Sequence, residues 1–460
     1  MSQTVKIISP IDGSVYAERS HIADAALEAA ISRARAAQTE WARVAVRERV
    51  AKVLAFLDAL LAMNDEMVPE LAWQMGRPVR YGGEKRGMDE RVRYMATIAD
   101  EALAPFEPKP IDGFRRCIKR EPLGIVLVIA PWNYPYLTAV NSIFPALIAG
   151  NAVLLKHAAQ TLLVGERFQA AYDKAGLPKG LFQNLVLSHE QTELLISSRK
   201  IDHVSFTGSV AGGRAVERAA AGTFASVGLE LGGKDPAYVC DDVKLDHAIE
   251  NLVDGSFFNS GQSCCGIERI YVHEKVFEPF VEGFVDLTQK YVVGNPLDPH
   301  TTIGPMARAN FADVVRGQIA EAVRKGARKH IEMKHESDVD GSPYLAPEVL
   351  TRVDHQMAVM REESFGPVIG IMKVRDDDEA IQLMNDSPYG LTASVWTTDL
   401  DRAAAIGDRV ATGTLFANRC DYLDPALTWT GVKDTGRGAS LSKYGYDALT
   451  RPKSYHLRQT

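Results

Sequence analysis

Residues 257–265 read Phe257-Phe258-Asn259-Ser260-Gly261-Gln262-Ser263-Cys264-Cys265. The run sets a thiol just after a Gly-Gln turn, at the end of a predicted helix. A thiol on a tight turn that glycine permits can face a cleft and attack a substrate. The same nine residues also fit a buried cysteine pair acting as small hydrophobes, and alone they do not separate the two readings. Cysteine is otherwise sparse, with Cys117, Cys240 and Cys420 completing the set. No disulfide framework is suggested, and no Cys/His spacing resembles a zinc site, so no metal is expected. A reducing, cytoplasmic compartment fits this usage.

At 460 residues the chain is too long for one core and suits two or three domains. Its net charge of −7, with no long basic run, makes nucleic acid and anionic membrane poor partners. The start, Met1-Ser2-Gln3-Thr4-Val5-Lys6, lacks the apolar core of a signal peptide. Pro122 to Leu155 holds no charged residue, which invites a membrane span. Pro131, Pro135, Pro145, Gly150 and three asparagines interrupt it, and such backbone breaks are costly in lipid. A buried strand–loop–helix–strand is expected instead.

Two Ala-, Arg- and Leu-rich stretches, Ile22 to Leu61 and Glu84 to Leu103, have helical periodicity and read as surface helices. From Ile125 short apolar runs alternate with helical stretches. Strands are predicted at Ile125–Ile129, Ala152–Leu155, Asn184–Leu187, His203–Phe206 and Ser226–Leu231. Helices fall between them, and the pattern predicts a doubly wound parallel sheet. Such sheets bind ligands at the carboxyl ends of their strands. A second alternating series from Ala237 predicts a second α/β domain, with apolar runs at Arg269–Val272, Val368–Met372, Ala393–Trp396 and Thr414–Ala417. Lys329–Tyr344 is polar and reads as a loop with room for a short strand.

Several motifs then stand in order: Pro131-Trp132-Asn133-Tyr134-Pro135, Lys156, Phe206-Thr207-Gly208-Ser209, Leu229-Glu230-Leu231-Gly232-Gly233-Lys234, the Gly-Gln-Ser-Cys turn, Glu362-Glu363-Ser364-Phe365-Gly366-Pro367, and Asn385-Asp386-Ser387-Pro388-Tyr389-Gly390-Leu391. In order and spacing, over nearly the whole chain, this resembles the aldehyde dehydrogenase superfamily. The resemblance implies that Cys264 is the nucleophile and that Asn133 donates to the oxyanion of a thiohemiacetal. One such donor is worth roughly 2.7–4 kcal/mol in a transition state. It implies that Glu230 is the base that activates water against the thioester. It further implies NAD or NADP, held by Trp132, Lys156, Ala159, Gly208, Ser209, Gly232, Glu363 and Phe365. Gly208 and Ser209 open a helix, and a helix N-terminus suits a pyrophosphate. Glu230 argues against coenzyme-A-acylating relatives, which usually lack it.

The chain departs from the family pattern in places. Where NAD-preferring members usually carry a glutamate, three residues after Lys156, stands Ala159, so NADP is expected to be tolerated. Ser142 and Ser440 occupy the positions of a lysine and glutamate thought to relay protons in many members. Tyr134, Asn141, Phe258, Ser263, Cys265, Asp421 and Trp429 are implied to line the aldehyde tunnel. Tyr134 and Trp429, with Asp421 and Asp424 near, suggest an amino- or other polar aldehyde whose cation sits over aromatic faces. Asn141 replaces the arginine usual in succinate-semialdehyde enzymes and weakens that assignment. A broad-range aliphatic or aromatic aldehyde enzyme and a catalytically silent relative are the remaining alternatives.

The implied fold is the α/β aldehyde dehydrogenase fold, with two doubly wound α/β domains and a small β oligomerisation element. Residues 1–105 and 124–232 would bind the dinucleotide and 233–430 would form the catalytic domain. Residues 106–123 and 447–460 would form strands of the oligomerisation element, giving a homodimer or homotetramer.

Overall fold

The computed structural model describes residues 4–333 and 339–460. The residues Met1–Gln3 and the middle of the polar segment Lys329–Tyr344 therefore lie outside the described residues.

The charge-free stretch folds as the heart of one sheet. Strand Ile125–Ala130 is buried at every position and pairs in parallel with Ala152–His157 on one side and His203–Thr207 on the other. A strand buried on both faces must be apolar throughout, which is why this run mimicked a membrane span. Phe182–Asn184 and Ser226–Glu230 extend the sheet in parallel, and Gly436–Arg437 closes one edge antiparallel to Ser226–Glu230. The second sheet runs Arg328–Lys329, Glu348–Thr351, Val368–Val374, Ile267–His273, Asp235–Val239, Thr392–Trp396, Thr414–Ala417, parallel except at its first strand. Phe114–Pro122 and Thr450–Arg458 pair antiparallel over their whole length, away from both sheets. None of the described helices is long and apolar enough to cross a membrane.

Two local expectations are refined, and two further elements appear. The single helical stretch Ile22–Leu61 is two helices, Asp24–Trp41 and Val46–Leu61. The break is fixed by Arg49, whose guanidinium donates to the Val44 carbonyl at 2.7 Å and the Ile148 carbonyl at 2.8 Å. The strand expected at Asn184–Leu187 is Phe182–Asn184. Its polar Gln183 masks it in sequence, yet the Gln183 amide is satisfied by the Ala30 carbonyl at 2.8 Å. Helix Asn64–Met75, with Pro69 inside, and the hairpin of Thr4–Ile8 with Val15–Ser20 had no counterpart in the sequence reading.

Candidate active site

Helix Leu245–Phe257 ends abruptly, and the chain turns through Phe258–Gly261. Asn259, Ser260 and Gly261 hold φ of 54°, 58° and 70°. A β-carbon on Gly261 would lie 2.4 Å from the Gly366 carbonyl oxygen, so glycine alone fits. The left-handed backbone costs Asn259 and Ser260 on the order of 1–3 kcal/mol each. Hydrogen bonds offset this. Asn259 Nδ2 donates to the Asn133 and Gln262 carbonyls, both at 3.2 Å, and Ser260 Oγ to the Gly304 carbonyl at 3.0 Å. Gln262 Oε1 accepts from the Ala307 N–H at 2.8 Å.

The turn delivers Cys264, half-buried, to a cavity of about 280 Å3. Cys265 is buried and donates to Asp421 Oδ1 at 2.9 Å. The neighbouring Cys264 sulfur, and then burial, push the Cys265 thiol well above its ordinary range. The two cysteines therefore differ in kind: one thiol is engaged by a carboxylate, the other opens on space.

Glu230 ends strand Ser226–Glu230 and lines the same cavity as Cys264. Ser440 Oγ donates to its Oε1 at 2.6 Å and Thr207 Oγ1 to its Oε2 at 3.2 Å. Burial raises its pKa above the ordinary carboxylate value, while these hydroxyls and the Arg91 guanidinium pull it back. Glu230 also lines a second cavity, of about 220 Å3, with Ser142, Ser205, Ser226 and Ser440.

Asn133 is buried, and its Nδ2 donates to the Gln262 carbonyl at 3.2 Å, two residues before the thiol. Its backbone carbonyl accepts from Arg77, which also donates to Asn259 Oδ1 at 3.2 Å and pairs with Glu84. Glu84 Oε2 in turn accepts the N–H groups of Tyr136 and Leu137, at the start of helix Pro135–Ala149. A carboxylate there meets the helix's positive end. The sequence reading missed Arg77, Glu84 and Thr207. Thr207 stood inside a quoted motif without a role; the other two look like surface charges.

The expected pocket residues Tyr134, Asn141, Phe258, Ser263, Asp421 and Trp429 all line the first cavity with Cys264 and Cys265. Tyr134, however, already carries an internal cation, with the Arg77 guanidinium 4.9 Å from its ring centroid. Asp421 accepts from Ser263 Oγ at 3.1 Å as well as from Cys265, and Asp424 is exposed and caps the Ala426 N–H at 2.9 Å. These contacts weigh against a substrate cation at this wall.

The residues expected to hold a dinucleotide lie at the carboxyl ends of two parallel strands and on the loop before Val368–Val374. Lys156 is near the end of one parallel strand with Ala159 just after it, and Gly208 and Ser209 follow another. Ser209 caps helix Val210–Ala220 by accepting the Gly212 N–H at 3.2 Å. Burial lowers the Lys156 pKa, and no hydrogen-bond or carboxylate partner takes its amine among the described residues. Nothing at Ala159 would repel a phosphate. Glu363 lies against Gly232, where a β-carbon would come within 2.3 Å of its carboxylate. It accepts the Gly233 N–H at 3.0 Å, and burial, then the Glu268 carboxylate, push it up to about 8. Phe365 meets Trp132 edge-on at 5.6 Å. The buried pair Lys234–Glu268 holds this loop, since Glu268 also accepts the Ser364 and Phe365 N–H groups at 2.8 and 2.9 Å.

Fold and site together define an enzyme built for covalent cysteine chemistry between two α/β sheets. The model of the aldehyde dehydrogenase family matches residues 1–455. The chain is 32% identical over 452 residues to a succinate-semialdehyde dehydrogenase [NADP(+)] of Deinococcus radiodurans, covering 97% of this chain and 93% of that one. It is 33% identical over 458 residues to betaine aldehyde dehydrogenase 1 of Rhizobium meliloti, covering 98% and 93%. The structure is similar to NADP-dependent glyceraldehyde-3-phosphate dehydrogenase of Bacillus halodurans complexed with NADP. That match has a TM-score of 0.93 and 31% identity, covering 100% of this chain and 96% of that one. The chain belongs to the aldehyde dehydrogenase family.

The Arg77 contacts generate a test. Arg77→Met leaves the Glu84 carboxylate buried without its partner, a loss of about 3–5 kcal/mol. The variant should melt several degrees lower and turn aldehyde over at least about tenfold more slowly, because the Asn133 carbonyl and Asn259 lose their shared donor. The double variant Arg77→Met/Glu84→Gln should regain stability without regaining activity. Wild-type melting and turnover in the single variant would show that this pair is dispensable.

Proposed function

We propose that the chain oxidises an aldehyde to its carboxylic acid with NAD or NADP, through a thioester on Cys264. The observation that carries this reading is that Cys264 and Glu230 face one cavity, with the Asn133 amide fixed beside the thiol turn. The Cys264 sulfur, as thiolate, adds to the aldehyde carbon. The oxygen becomes an oxyanion, which Asn133 Nδ2 and the Cys264 N–H stabilise. A nicotinamide dinucleotide in the cleft supplies the hydride acceptor. Glu230 takes a proton from the water that attacks the resulting thioester, the sulfur departs as thiolate, and the acid is released. The proton leaves Glu230 through Ser440 and the hydroxyl-lined second cavity, which also takes in Ser142.

In the cofactor cleft, Lys156 and Ser209 would meet the adenosine ribose and the pyrophosphate, with Gly208 allowing close approach. Glu363 would hold the nicotinamide ribose, and Phe365, Trp132 and Gly232 would border the ring. We take residues 1–105 with 124–232 as the dinucleotide-binding unit, 233–430 as the catalytic unit, and 106–123 with 447–460 as the oligomerisation element. Support comes from the two sheets and the separate antiparallel ribbon. The ribbon's mostly exposed tail strand would join a second copy. Five free cysteines support a reducing, cytoplasmic setting.

Wild-type protein given an aldehyde and NAD(P)+ should form the reduced cofactor without coenzyme A; no absorbance change with any aldehyde would refute the assignment. Glu230→Gln should give a single burst of reduced cofactor and then stall. Because burial raises the Glu230 pKa, steady turnover should fall as pH drops through a value above the usual carboxylate range. Ser440→Ala removes a hydrogen bond to the ionised form, so that limb should move to higher pH.

With Ala159 offering no charge to repel a 2′-phosphate, kcat/KM for NADP should lie within about tenfold of that for NAD. A hundredfold preference for NAD would contradict this. Deleting residues 450–458 should shift light-scattering mass from a dimer or tetramer to a monomer. A wild-type monomer would remove the ribbon's proposed role.

A further inference from the structure

Helix Lys85–Ala102 carries three arginines, and their phase along the helix separates their fates. Arg93 is exposed and tied to Asp89 and Asp58 at the surface. Arg91 faces inward, lines the Cys264 cavity and is only 9% exposed. Its Nη1 donates to the Leu137 carbonyl at 3.0 Å and to Asn141 Oδ1 at 3.4 Å. Its Nε and Nη2 have no protein partner, and no carboxylate pairs with it among the described residues. A buried, always-charged fork of this kind is costly unless an anion or water meets it.

Two further groups on the same cavity wall share that condition. Asn141 Nδ2 and the Tyr134 hydroxyl are buried without a hydrogen-bond partner. The other guanidinium of the wall, Arg77, is already paired with Glu84. The acids that face the cavity are committed or displaced. Glu230 is held by Ser440 and Thr207, and Asp421 by Ser263 and Cys265. Asp254 is exposed. Glu84 and Glu230 act on the Arg91 charge through space, and neither accepts a hydrogen bond from its free Nε and Nη2.

We propose that Arg91, with Asn141 and Tyr134 beside it, receives the carboxylate of an aldehyde that bears an acid group at its far end. The proposal rests on the aldehyde-oxidising reading of Cys264 and specifies its substrate class. A planar guanidinium matches a carboxylate with two parallel hydrogen bonds, which an uncharged or cationic aldehyde cannot accept. Arg91 would be a specificity-determining residue, acting on binding rather than on the bonds that break.

The test uses the full chain, NAD(P)+ and three aldehydes of matched length: succinate semialdehyde, butanal and β-aminopropanal. Succinate semialdehyde should be preferred over both others by roughly 100-fold in kcat/KM. Arg91→Leu should lower kcat/KM for succinate semialdehyde by roughly 100-fold, mainly through KM, and leave butanal within about threefold. Arg91→Lys should recover part of the loss. An equal loss on all three aldehydes, or preference for β-aminopropanal or butanal in the wild type, would overturn the proposal. Calorimetry with succinate, the dicarboxylate product, keeps the test independent of turnover. Succinate should bind the wild type and not Arg91→Leu, and equal binding to both, or to neither, overturns it. Failure of the wild type to oxidise any aldehyde while succinate still binds through Arg91 would instead remove the aldehyde-oxidising reading.

Discussion

A thiol can be aimed into a cleft only if the backbone before it turns sharply, and here the turn is made with residues that resist it. Asn259 and Ser260 stand at φ of 54° and 58°, in a region that side chains disfavour. What holds them is a small set of buried hydrogen bonds centred on Arg77. Its guanidinium reaches Asn259 and the Asn133 carbonyl at once, and Glu84 holds its charge. The thiol turn and the proposed oxyanion donor thus come from residues more than a hundred positions apart, yet share one hydrogen-bond network. Losing the pair would slacken both together, leaving the Asn133–Gln262 and Asn259–Asn133 hydrogen bonds to join them.

The second constraint is placement of the Glu230 carboxylate, the proposed base. Glu230 sits at the carboxyl end of a parallel strand, where the sheet stops and cavity begins. Glu230 borders two spaces, one containing Cys264 and the other lined by serines. Ser440, which donates to it, is brought in by the chain beside Gly436–Arg437, the antiparallel edge strand of the same sheet. The C-terminal region therefore completes both the sheet and the environment of the carboxylate. Thr207 does the same from the neighbouring strand, where it stands in register with Glu230.

The elements that could be read from sequence were those whose pattern reflects burial on both faces. Ile125–Ala130 and Ala152–His157 are apolar because parallel strands under helices have no solvent face. Phe182–Asn184 escaped because its polar side chain finds a backbone partner rather than water. The proposed nucleophile and its proposed partners stand in motifs, which is what made them candidates in the sequence. The charges that organise the site were not. Arg91 and Arg93 are the same residue type two positions apart on one helix, and the sequence treats both as surface. Only the helix's rotation against Pro135–Ala149 decides that one is exposed and the other buried. Asn141, read alone, argued against an acid-bearing substrate; in the structure it accepts a hydrogen bond from a guanidinium supplied by the neighbouring helix.

The adjacent cysteines show how the same geometry assigns chemistry. Both thiols line the cavity, but their partners differ. Cys265 is turned toward Asp421, a carboxyl that burial itself pushes toward protonation, and it serves that contact as a donor. A thiol spent in this way neither ionises nor attacks readily. Asp421 stands at φ of 48°, so the loop that presents it carries its own strain. Its contact with Ser263 and Cys265 gives that strain a purpose: it ties the cavity's far wall to the residues on both sides of the nucleophile. Cys264, between them, has no carboxylate partner among the described residues and lines the cavity beside them.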